Sequence, residues 1–296
     1  MAFLFAAGRG DGLVARCGDR AYSHLNMKTW VALLVGFLAT TKGWGEETPE
    51  WVATLQPPAA GSFAPLRAFT AKYSFGWSAL SAGEAEVEVS RKPGQSQLKV
   101  RGGTGGAVRA MWKLDSDATS TVRAQDLQTV RLVQIEKYSD EKRTTTVVFG
   151  TEGVARTRVR EPKDKDSGKT KRFKFAPVRD LHGSLLFVRS QPLQQGDVVR
   201  FVVYPDSGGY LAEAEVIGRE KIKVAGKEWP AIKLALRLKE IAKDLTLKPH
   251  QKFKSATCWL SDDADRLLLK VEADVMVGKV WMALQQINFT NPSGGR

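Results

Sequence analysis

Cysteine and histidine are scarce in this sequence. Its 296 residues include two cysteines, Cys17 and Cys258, and three histidines. Two cysteines cannot build a disulfide framework, and no cysteine and histidine pair has the spacing of a zinc site. Cys258 lies in the apolar stretch ATCWL, so we predict that it is a buried thiol of the core. The sequence therefore indicates no metal site and no cofactor.

A long hydrophobic run is also absent. Residues 30–39 are apolar, but this run has half of the roughly 20 residues that a membrane-spanning helix needs, so no transmembrane span is expected in the mature chain. The run follows Met27 and Lys28 and precedes small residues and the acidic segment EETPE, which is the three-part pattern of a secretory signal. We therefore predict a signal peptide at 27–45, with residues 1–26 upstream of the true start. The mature protein is expected in the periplasm, or secreted.

Positive charge dominates without forming a long cluster. The net charge is +13 at pH 7, and the basic residues stand singly in alternating runs such as VARTRVRE. The densest basic stretch, EPKDKDSGKTKRFKF, contains acids and predicts a solvated hairpin loop, with a diffuse attraction for anions as the alternative. No motif of a nucleic-acid-binding domain accompanies the charge, so no nucleic-acid partner is expected.

Apolar and polar residues alternate through most of the chain. In GEAEVEVS, residues 83–90, Ala and Val alternate with Glu, as in a strand with one face in water. About a dozen such runs are separated by tight turns at 206–209, around Gly226, at 262–265 and at 277–279. Strands in series predict a mainly β fold, with curved antiparallel sheets or a partly open β-barrel or clam.

The domain organisation follows from these patterns. Residues 46–68 are rich in Pro, Ala and Gly and have no sustained period, so they predict a linker or an N-terminal arm laid over the domain. Residues 69–290 form a single predicted β domain. Residues 291–296 are predicted to be a flexible tail.

One stretch has a helical pattern, RDLHGSLLFVRSQP at residues 179–192. Asp180 suits an N-cap, because its carboxylate accepts hydrogen bonds from free backbone N–H groups and meets the positive end of the helix dipole. Three apolar residues then lie along one side of a short amphipathic helix at about 181–190, packed against the sheet. These residues are Leu181, Leu185 and Val188.

The same stretch places Asp180, His182 and Ser184 within five residues, as if for a catalytic relay. On a helix, however, residue i+2 points about 200° away from residue i. His182 therefore cannot meet both neighbours within one turn. A partner from elsewhere in the chain remains open for His182, because a catalytic triad is assembled in space.

Three other segments could carry chemistry but have simpler interpretations. His250 lies in the basic stretch LKPHQKFK and is expected to be solvated. Asp262, Asp263 and Asp265 lack the glycine and closing glutamate of a calcium loop, so they predict a turn between strands. Residues 101–112 hold four glycines without a βαβ unit around them, and they predict a flexible loop that could rim a cavity.

An ordered set of stretches resembles a known family. AGEAEVEVS, RDLHGSLLFVRSQPLQQGDVVRFVVY, VIGREKIKVAGKEWPAIKL and CWLSDDADRLLLKVEADVMVGKVWMAL follow one another over about residues 70–289. The set resembles the bacterial exported domain of unknown function 3108 family, although residues 237–256 form a longer connection than the family pattern has. The resemblance implies an antiparallel β protein of the cell envelope with no established activity and no catalytic residues to carry over.

These patterns lead to specific expectations for a site. Large apolar residues in an exported sheet suggest a concavity that takes a ligand, and we predict that four of them bind it, namely Trp77, Trp112, Phe187 and Trp281. Seven residues are predicted to be structural, namely Asp180, Leu181, Leu185, Val188, Gly196, Asp197 and Trp259. No residue is predicted to be catalytic.

The leading functional hypothesis is a non-enzymatic periplasmic protein. It binds an apolar or amphipathic ligand, such as a lipid or another envelope component, or an envelope protein, in a concavity of the sheet. One alternative is a hydrolase that acts on envelope glycan or lipid, which requires His182 or His250 beside a carboxylate or serine. The other is a purely structural interaction protein, which would show an exposed apolar patch without a cavity.

Overall fold

The computed structural model describes residues 48–290 except 58, 206, 251–252 and 277. The predicted signal peptide at 27–45, the residues before it and the predicted tail at 291–296 lie outside the described residues.

Alternation of small or β-branched residues with polar ones produces fifteen strands in the described part of the chain. They are β1 (Phe69–Trp77), β2 (Leu80–Lys92), β3 (Gln95–Thr104), β4 (Asp115–Arg123), β5 (Thr129–Lys137), β6 (Lys142–Gly150), β7 (Gly153–Glu161), β8 (Thr170–Phe173), β9 (Val198–Val203), β10 (Tyr210–Val224), β11 (Lys227–Ile241), β12 (Leu247–Pro249), β13 (Phe253–Ser261), β14 (Leu268–Val275) and β15 (Lys279–Phe289). The first eight form one antiparallel meander, and β9, β10, β11, β13, β14 and β15 form a second, with β12 paired to β11.

The first and last strands join the two meanders. β1 pairs with β15 in antiparallel register, so that Phe69 lies opposite Phe289. A single sheet results, with β8 at one edge and β9 at the other. A sheet of this many strands twists and curls rather than staying flat, and here it rolls into a barrel-like form.

Two helices and one 3-10 turn accompany the sheet in the described range. They are α1 (Gly106–Met111), α2 (Leu181–Ser190) and the turn at Glu50–Thr54. α2 belongs to the connection from β8 to β9, so this connection leads from one edge of the sheet to the other. Neither described helix is long and apolar enough to span a membrane.

The two edges of the sheet approach each other near α2. Phe173 of β8 lies 6.0 Å from Tyr204, measured between ring centroids, and Arg179 forms a short parallel bridge with Val203 of β9. Only glycine fits at position 209, because a Cβ there would lie 2.1 Å from the Phe173 ring. These contacts cover the edge of β9, which would otherwise offer unpaired backbone groups to another chain.

The main core lies between α2 and the inner face of the sheet. It takes inward residues from β1, β2, β3, β10, β11 and β13–β15, together with Phe187 of the helix, which is fully buried. The Phe187 ring meets Phe201 edge-on at 6.0 Å. Since aromatic side chains bury the largest area per residue, Phe187 is the principal anchor of α2.

A second core lies on the other side of β9. Val199, Phe201 and Val203 of this strand belong to the main core, whereas Val202 packs with the inner residues of β4–β7. The second core consists of Ala118, Leu132, Val147, Val154, Val178, Val202, Tyr204, Leu211 and Ile241. Burial on both faces explains why β9 reads VVRFVV, a nearly continuous apolar run, rather than an alternating one.

The fold agrees with the class that the sequence predicts, with three corrections. The antiparallel β fold and the helix at 181–190 are confirmed, but the strands number fifteen rather than about a dozen. The predicted loop at 101–112 contains the end of β3 and α1, a helix too short to give a periodic signal. The longer connection at 237–256 holds the end of β11, a turn and β12, which pairs with β11.

Candidate functional site

The start of α2 is fixed by hydrogen bonds to a buried carboxylate. Asp180 is the N-cap residue, and its Oδ1 accepts from the Gly183 N–H at 2.7 Å and from the Thr129 hydroxyl at 2.9 Å. The Thr129 oxygen in turn accepts from the Asp180 N–H at 3.0 Å. Thr129 begins β5, so the cap also connects the helix to the first meander, β1–β8. A Cβ at position 183 would lie 2.4 Å from the Thr129 oxygen, which explains the glycine.

The apolar residues of α2 differ in how deeply they are buried. Phe187 and Val188 are buried in the main core, while Leu181 and Leu185 are only half-buried. The half-buried pair is four residues apart and therefore shares one side of the helix. This side faces a space that the surrounding side chains do not fill.

That space is an apolar cavity of about 60 Å³ between α2 and the sheet. Apart from His182, Arg189, Arg266 and Tyr73, every residue on its wall is apolar. The wall consists of Leu66, Phe69, Tyr73, Ala85, Val87, Val89, Leu98, Val100, Leu181, His182, Leu185, Leu186, Arg189, Arg266, Leu267, Leu268 and Met282. The volume equals the share of about two liquid water molecules, and it is far below the roughly 300–1,000 Å³ of pockets that enclose drug-sized ligands.

His182 lies on the cavity side of α2, as does Arg189. Burial lowers the pKa of His182, and the charge of Asp180 partly opposes this, so the imidazole is neutral at pH 7. The neighbours of His182 are engaged elsewhere, because Asp180 caps the helix and the Ser184 hydroxyl donates to the Asp180 backbone oxygen at 2.7 Å. The local relay is therefore not formed, in agreement with the helical geometry.

The segment before β1 covers one side of the cavity. Leu66 is buried and lies on the cavity wall, and the Phe63 ring lies 3.5 Å from the Arg266 guanidinium, in a cation–π contact. The Phe63 N–H donates to the Ser190 backbone oxygen at 3.1 Å. Arg67 forms an ion pair with Asp265, with Nε 2.8 Å from Oδ1. Residues 59–68 thus lie across the C-terminal end of α2, mostly through polar contacts.

Two arginines close the C-terminal end of α2. Arg266 donates to the backbone oxygens of Arg189 and Gln191 and, at 2.9 Å, of Pro192. Cations at this end satisfy free carbonyls and complement the helix dipole. Arg189 donates to the Asp265 backbone oxygen at 2.8 Å, and burial beside Arg266 lowers its pKa to about 10. Both guanidiniums remain charged at pH 7.

None of the four residues predicted to bind a ligand lies on the cavity wall. Phe187 is wholly enclosed in the main core, and Trp77 and Trp112 are 46% and 36% exposed at one end of the sheet. Trp281 donates to the Ser78 backbone oxygen at 3.0 Å, next to the turn between β1 and β2. Trp77 and Trp281 both lie near this turn, but the register pairs Trp281 with Gly76 and Trp77 with Val280, so their side chains lie on opposite faces of the sheet.

The remaining predicted structural residues lie at turns and on the sheet. Gly196 has a φ of 89°, and its N–H donates to the Val216 backbone oxygen, while the Asp197 carboxylate accepts from the Gln194 N–H at 2.8 Å. This turn leads into β9. Trp259 is buried against the main core, and its indole N–H donates to Glu220 at 2.6 Å.

The other sequence candidates also have structural surroundings. His250 was expected to be solvated, but it is half-buried because its ring stacks on Tyr210 at 5.1 Å and its Nδ1 accepts from the Phe253 N–H. Asp263 accepts from Ser261 and from the N–H groups of residues 265 and 266 within the turn between β13 and β14. Cys258 is buried, which raises the pKa of its thiol to about 12. Across the described residues, no group of three or more His, Cys, Asp and Glu could hold a metal ion.

Sequence reasoning predicted a concavity of the sheet but missed the residues that form the wall of this cavity, because most of them are aliphatic side chains that resemble ordinary core residues. The alternation in β2 places Ala85, Val87 and Val89 on the wall, and this signal was visible in GEAEVEVS. What the alternation does not give is which inner residues leave space between them. Tryptophans were predicted to bind the ligand instead, because their apolar side chains are large.

Comparisons with solved structures support the fold. The crystal structure of a β-barrel-like protein of the domain of unknown function DUF1849 from Brucella abortus has a TM-score of 0.50 and 10% identity, covering 77% of this chain and 100% of that one. A protein of Parabacteroides distasonis called a "putative lipoprotein" has a TM-score of 0.30 and 8% identity, covering 79% of this chain and 100% of its own. The first likeness concerns the fold alone, and the second carries no argument.

Sequence comparison adds the family. No curated protein matches the chain significantly. Residues 69–285 match the family described as "Protein of unknown function (DUF3108)", and this range covers nearly all of the sheet from β1 to β15. The chain therefore belongs to the DUF3108 family.

Proposed function

We propose that the mature chain is an exported, non-enzymatic protein of the bacterial cell envelope that binds an apolar or amphipathic ligand between α2 and the inner face of the sheet. The supporting observation is the apolar cavity on the half-buried side of α2. Closely packed interiors rarely leave such a space beside a helix. Export is supported by the predicted signal peptide at 27–45.

The size of the cavity sets a condition on this proposal. About 60 Å³ holds only two or three methylene groups, so a longer acyl chain enters only if part of the wall moves. Residues 59–68 are the part best suited to move, because the Phe63 and Arg67 contacts with Arg266 and Asp265 are polar or cation–π. Water reaches this ion pair from one side, because the Arg67 side chain is largely exposed while that of Asp265 is buried.

A cavity-filling variant tests the proposal. Leu185→Trp places an indole in the cavity, whereas the matched control Ile217→Trp adds the same group on an exposed position of β10. We expect the wild-type protein, purified from a Gram-negative periplasm, to bind palmitate in native mass spectrometry and to gain thermal stability from it. The Leu185→Trp variant should lose at least tenfold in palmitate affinity, and the control should keep it.

Circular dichroism spectra of both variants serve as the check on folding. If the wild-type protein neither carries an acyl ligand nor binds palmitate, the proposed function is wrong. The same conclusion follows if Leu185→Trp and Ile217→Trp bind palmitate equally well, because the cavity would then not be the site.

A hydrolase is less well supported by the geometry. The described wall of the cavity contains His182 but no carboxylate and no serine, and Asp180 and Ser184 are engaged in the helix cap. His250 contacts Tyr210 and the Phe253 backbone. A general base needs a partner within hydrogen-bond reach, and the described wall of the cavity offers His182 no carboxylate for this role.

An interaction protein is favoured by one specific observation. Five of the large apolar residues that are exposed lie in neighbouring turns at one end of the sheet, namely Trp77, Leu80, Met111, Trp112 and Met276. Exposed apolar groups of this kind mark binding surfaces. If Trp77→Ser with Trp112→Ser produces an envelope defect while palmitate binding is unchanged, interaction rather than ligand binding is the main function.

A further inference from the structure

The charged residues on the cavity wall have one sign and lie at one end of α2. Arg189 follows Leu181 and Leu185 at four-residue spacing and therefore continues the half-buried side of the helix. Arg266 lies at the same end, because it donates to the backbone oxygens that close the helix. The described wall contains no carboxylate, and His182, two turns before Arg189, is neutral at pH 7. The cavity is therefore apolar along most of α2 and positively charged at its C-terminal end.

The two arginines have neutral hydrogen-bond partners. Among the described residues, Arg189 and Arg266 donate to backbone oxygens and to no carboxylate. The three aspartates of the adjoining turn are engaged by other groups, namely Asp262 by Arg219, Asp263 by Ser261 and Asp265 by Arg67. Two of these carboxylates favour the charge of Arg189 through space, but burial and the neighbouring Arg266 outweigh them and lower its pKa. Since like charges repel more strongly in a buried environment, an anion placed beside both guanidiniums relieves this repulsion.

The segment before β1 covers both guanidiniums. The Arg266 guanidinium lies 3.5 Å from the centre of the Phe63 ring, and that of Arg189 lies 5.6 Å from it. Arg189 Nη1 also donates to the Ala64 backbone oxygen at 3.0 Å. Entry of an acyl chain requires residues 59–68 to move, and this movement takes the Phe63 ring and the Ala64 oxygen away together. A buried charged donor is then left without an acceptor, which costs more than the loss of a typical hydrogen bond.

An anionic head group suits the position that the Ala64 oxygen leaves. A carboxylate or phosphate oxygen accepts from Arg189 in place of the carbonyl, and hydrogen bonds between charged groups are about twice as strong as neutral ones. Arg266 adds a second cation, whose Nε–H has no acceptor among the described residues. We propose that the ligand is a single-chain amphiphile with an oxyanion head, which Arg189 and Arg266 bind at the C-terminal end of α2. Its chain extends along Leu185 and Leu181.

This inference rests on the proposed function and narrows the class of its ligand. An uncharged amphiphile, such as a long-chain alcohol, fits an apolar cavity equally well, but it leaves the charge of Arg189 without an anionic partner after the Ala64 oxygen has moved away. The head groups of a fatty acid and of a phosphorylated lipid share the chemistry that the two arginines recognise. The source of the oxyanion is therefore a matter for the experiment.

The test compares ligands that differ only in the head group. Palmitate, hexadecyl phosphate and hexadecanol have the same number of carbon atoms in one saturated chain. We expect the wild-type protein, in equilibrium binding of the radiolabelled ligands at pH 7, to bind palmitate or hexadecyl phosphate at least tenfold more tightly than hexadecanol. The anion that binds more tightly identifies the preferred head as a carboxylate or a phosphate.

Variants locate the head group. Arg189→Gln removes the charge, so it should lower the affinity for the anions at least tenfold and leave the affinity for hexadecanol within twofold of the wild type. Arg189→Lys keeps the charge and should retain most of the preference for anions. The matched control, Arg219→Gln, removes an arginine of the same region that pairs with Asp262 and lies outside the described wall. It should keep the wild-type values.

The outcomes separate this inference from the proposed function. If circular dichroism shows that Arg189→Gln does not fold, Arg266→Gln takes its place, and the comparison of ligands on the wild-type protein needs no variant. If the wild-type protein binds none of the three ligands, the proposed function and the inference both fail. If it binds hexadecanol as tightly as the anions, the cavity takes a ligand without an anion site, and the inference alone is wrong. The inference is also wrong if Arg189→Gln keeps the preference for anions, or if Arg219→Gln reduces it equally.

Discussion

The main core and the second core belong to one sheet, yet their inner faces differ in chemistry. Beside α2 the inner face of β2 presents Ala85, Val87 and Val89, whereas farther along the same meander the inner face of β7 presents arginines. A helix covers the first face, whereas among the described residues the second face packs against β9, β10, the end of β11 and the turn at Glu50–Thr54. Alternation along a strand therefore defines two faces, and the covering element decides which of them must be apolar.

Large aromatic residues in the two regions offer the strongest test of this difference. Phe187→Ala empties a fully buried site that Phe201 and the Arg179 guanidinium contact, and we expect it to lower the free energy of unfolding by about 3–5 kcal/mol. Phe173→Ala removes a half-buried ring of the second core, so we expect less than half of that loss. Urea denaturation of both variants measures the two values, and equal losses would contradict the distinction between the cores.

The N-cap of α2 connects the two regions, because the Asp180 carboxylate bonds both to the helix and to Thr129 of β5. Asp180→Ala removes the acceptor for Gly183 and Thr129, and the loss of an N-cap typically costs about 0.5–2 kcal/mol. We expect a value at the upper end because the bonds are buried. Asp180→Asn retains an acceptor oxygen and should lose less, as measured by thermal unfolding. A larger loss with Asn than with Ala would show that the cap is not the reason for the residue.

We expect the smallest loss of stability from a substitution on the face of β9 that points to the second core. Glu213 lies opposite Arg200 and accepts its Nε–H at 2.8 Å, and this bond holds the pKa of Glu213 below its usual value. A lowered folded pKa contributes stability above the unfolded pKa of about 4.3, and this stability is lost as the pH falls through the folded pKa. After allowance for solvent screening, we expect Glu213→Gln to cost about 0.2–1 kcal/mol at pH 7.

Unfolding free energies of Glu213→Gln and the wild type at pH 3 to 7 provide the measurement. The two proteins should converge at the acid end. Arg200→Gln is the matched control, because it removes the same pair from the other side. A difference that grows on acidification would reverse the assigned sign.

Local features could be predicted from the sequence with good accuracy. The ends of α2 match the prediction because Asp180 is a strong N-cap and Gln191-Pro192 ends the helix. The turn around Gly226 was also predicted, and its φ of 76° is one that glycine adopts readily. α1 was missed since six residues are too few to show a helical period. Its N-cap, Gly105, gives no side-chain hydrogen bond that could mark the start.

Long-range features could not be predicted in the same way. The pairing of β1 with β15 joins residues more than two hundred positions apart, and no local pattern encodes it. The rolling of the sheet decides that Arg156 points inward and Trp77 lies at an exposed end. Arg156 therefore appeared in the sequence as an ordinary member of an alternating run, and Trp77 was predicted to bind a ligand.

The pairing of the first and last strands also determines how the domain responds to force. Phe69 and Phe289 face each other, and the Thr290 N–H donates to the Ala68 backbone oxygen at 3.0 Å. A pull applied at residues 68 and 290 acts across the strands, so the hydrogen bonds of this ladder break one after another rather than together. The domain therefore opens first at the seam between its two meanders, and the inward residues of β1 and β15 separate within the main core as it does.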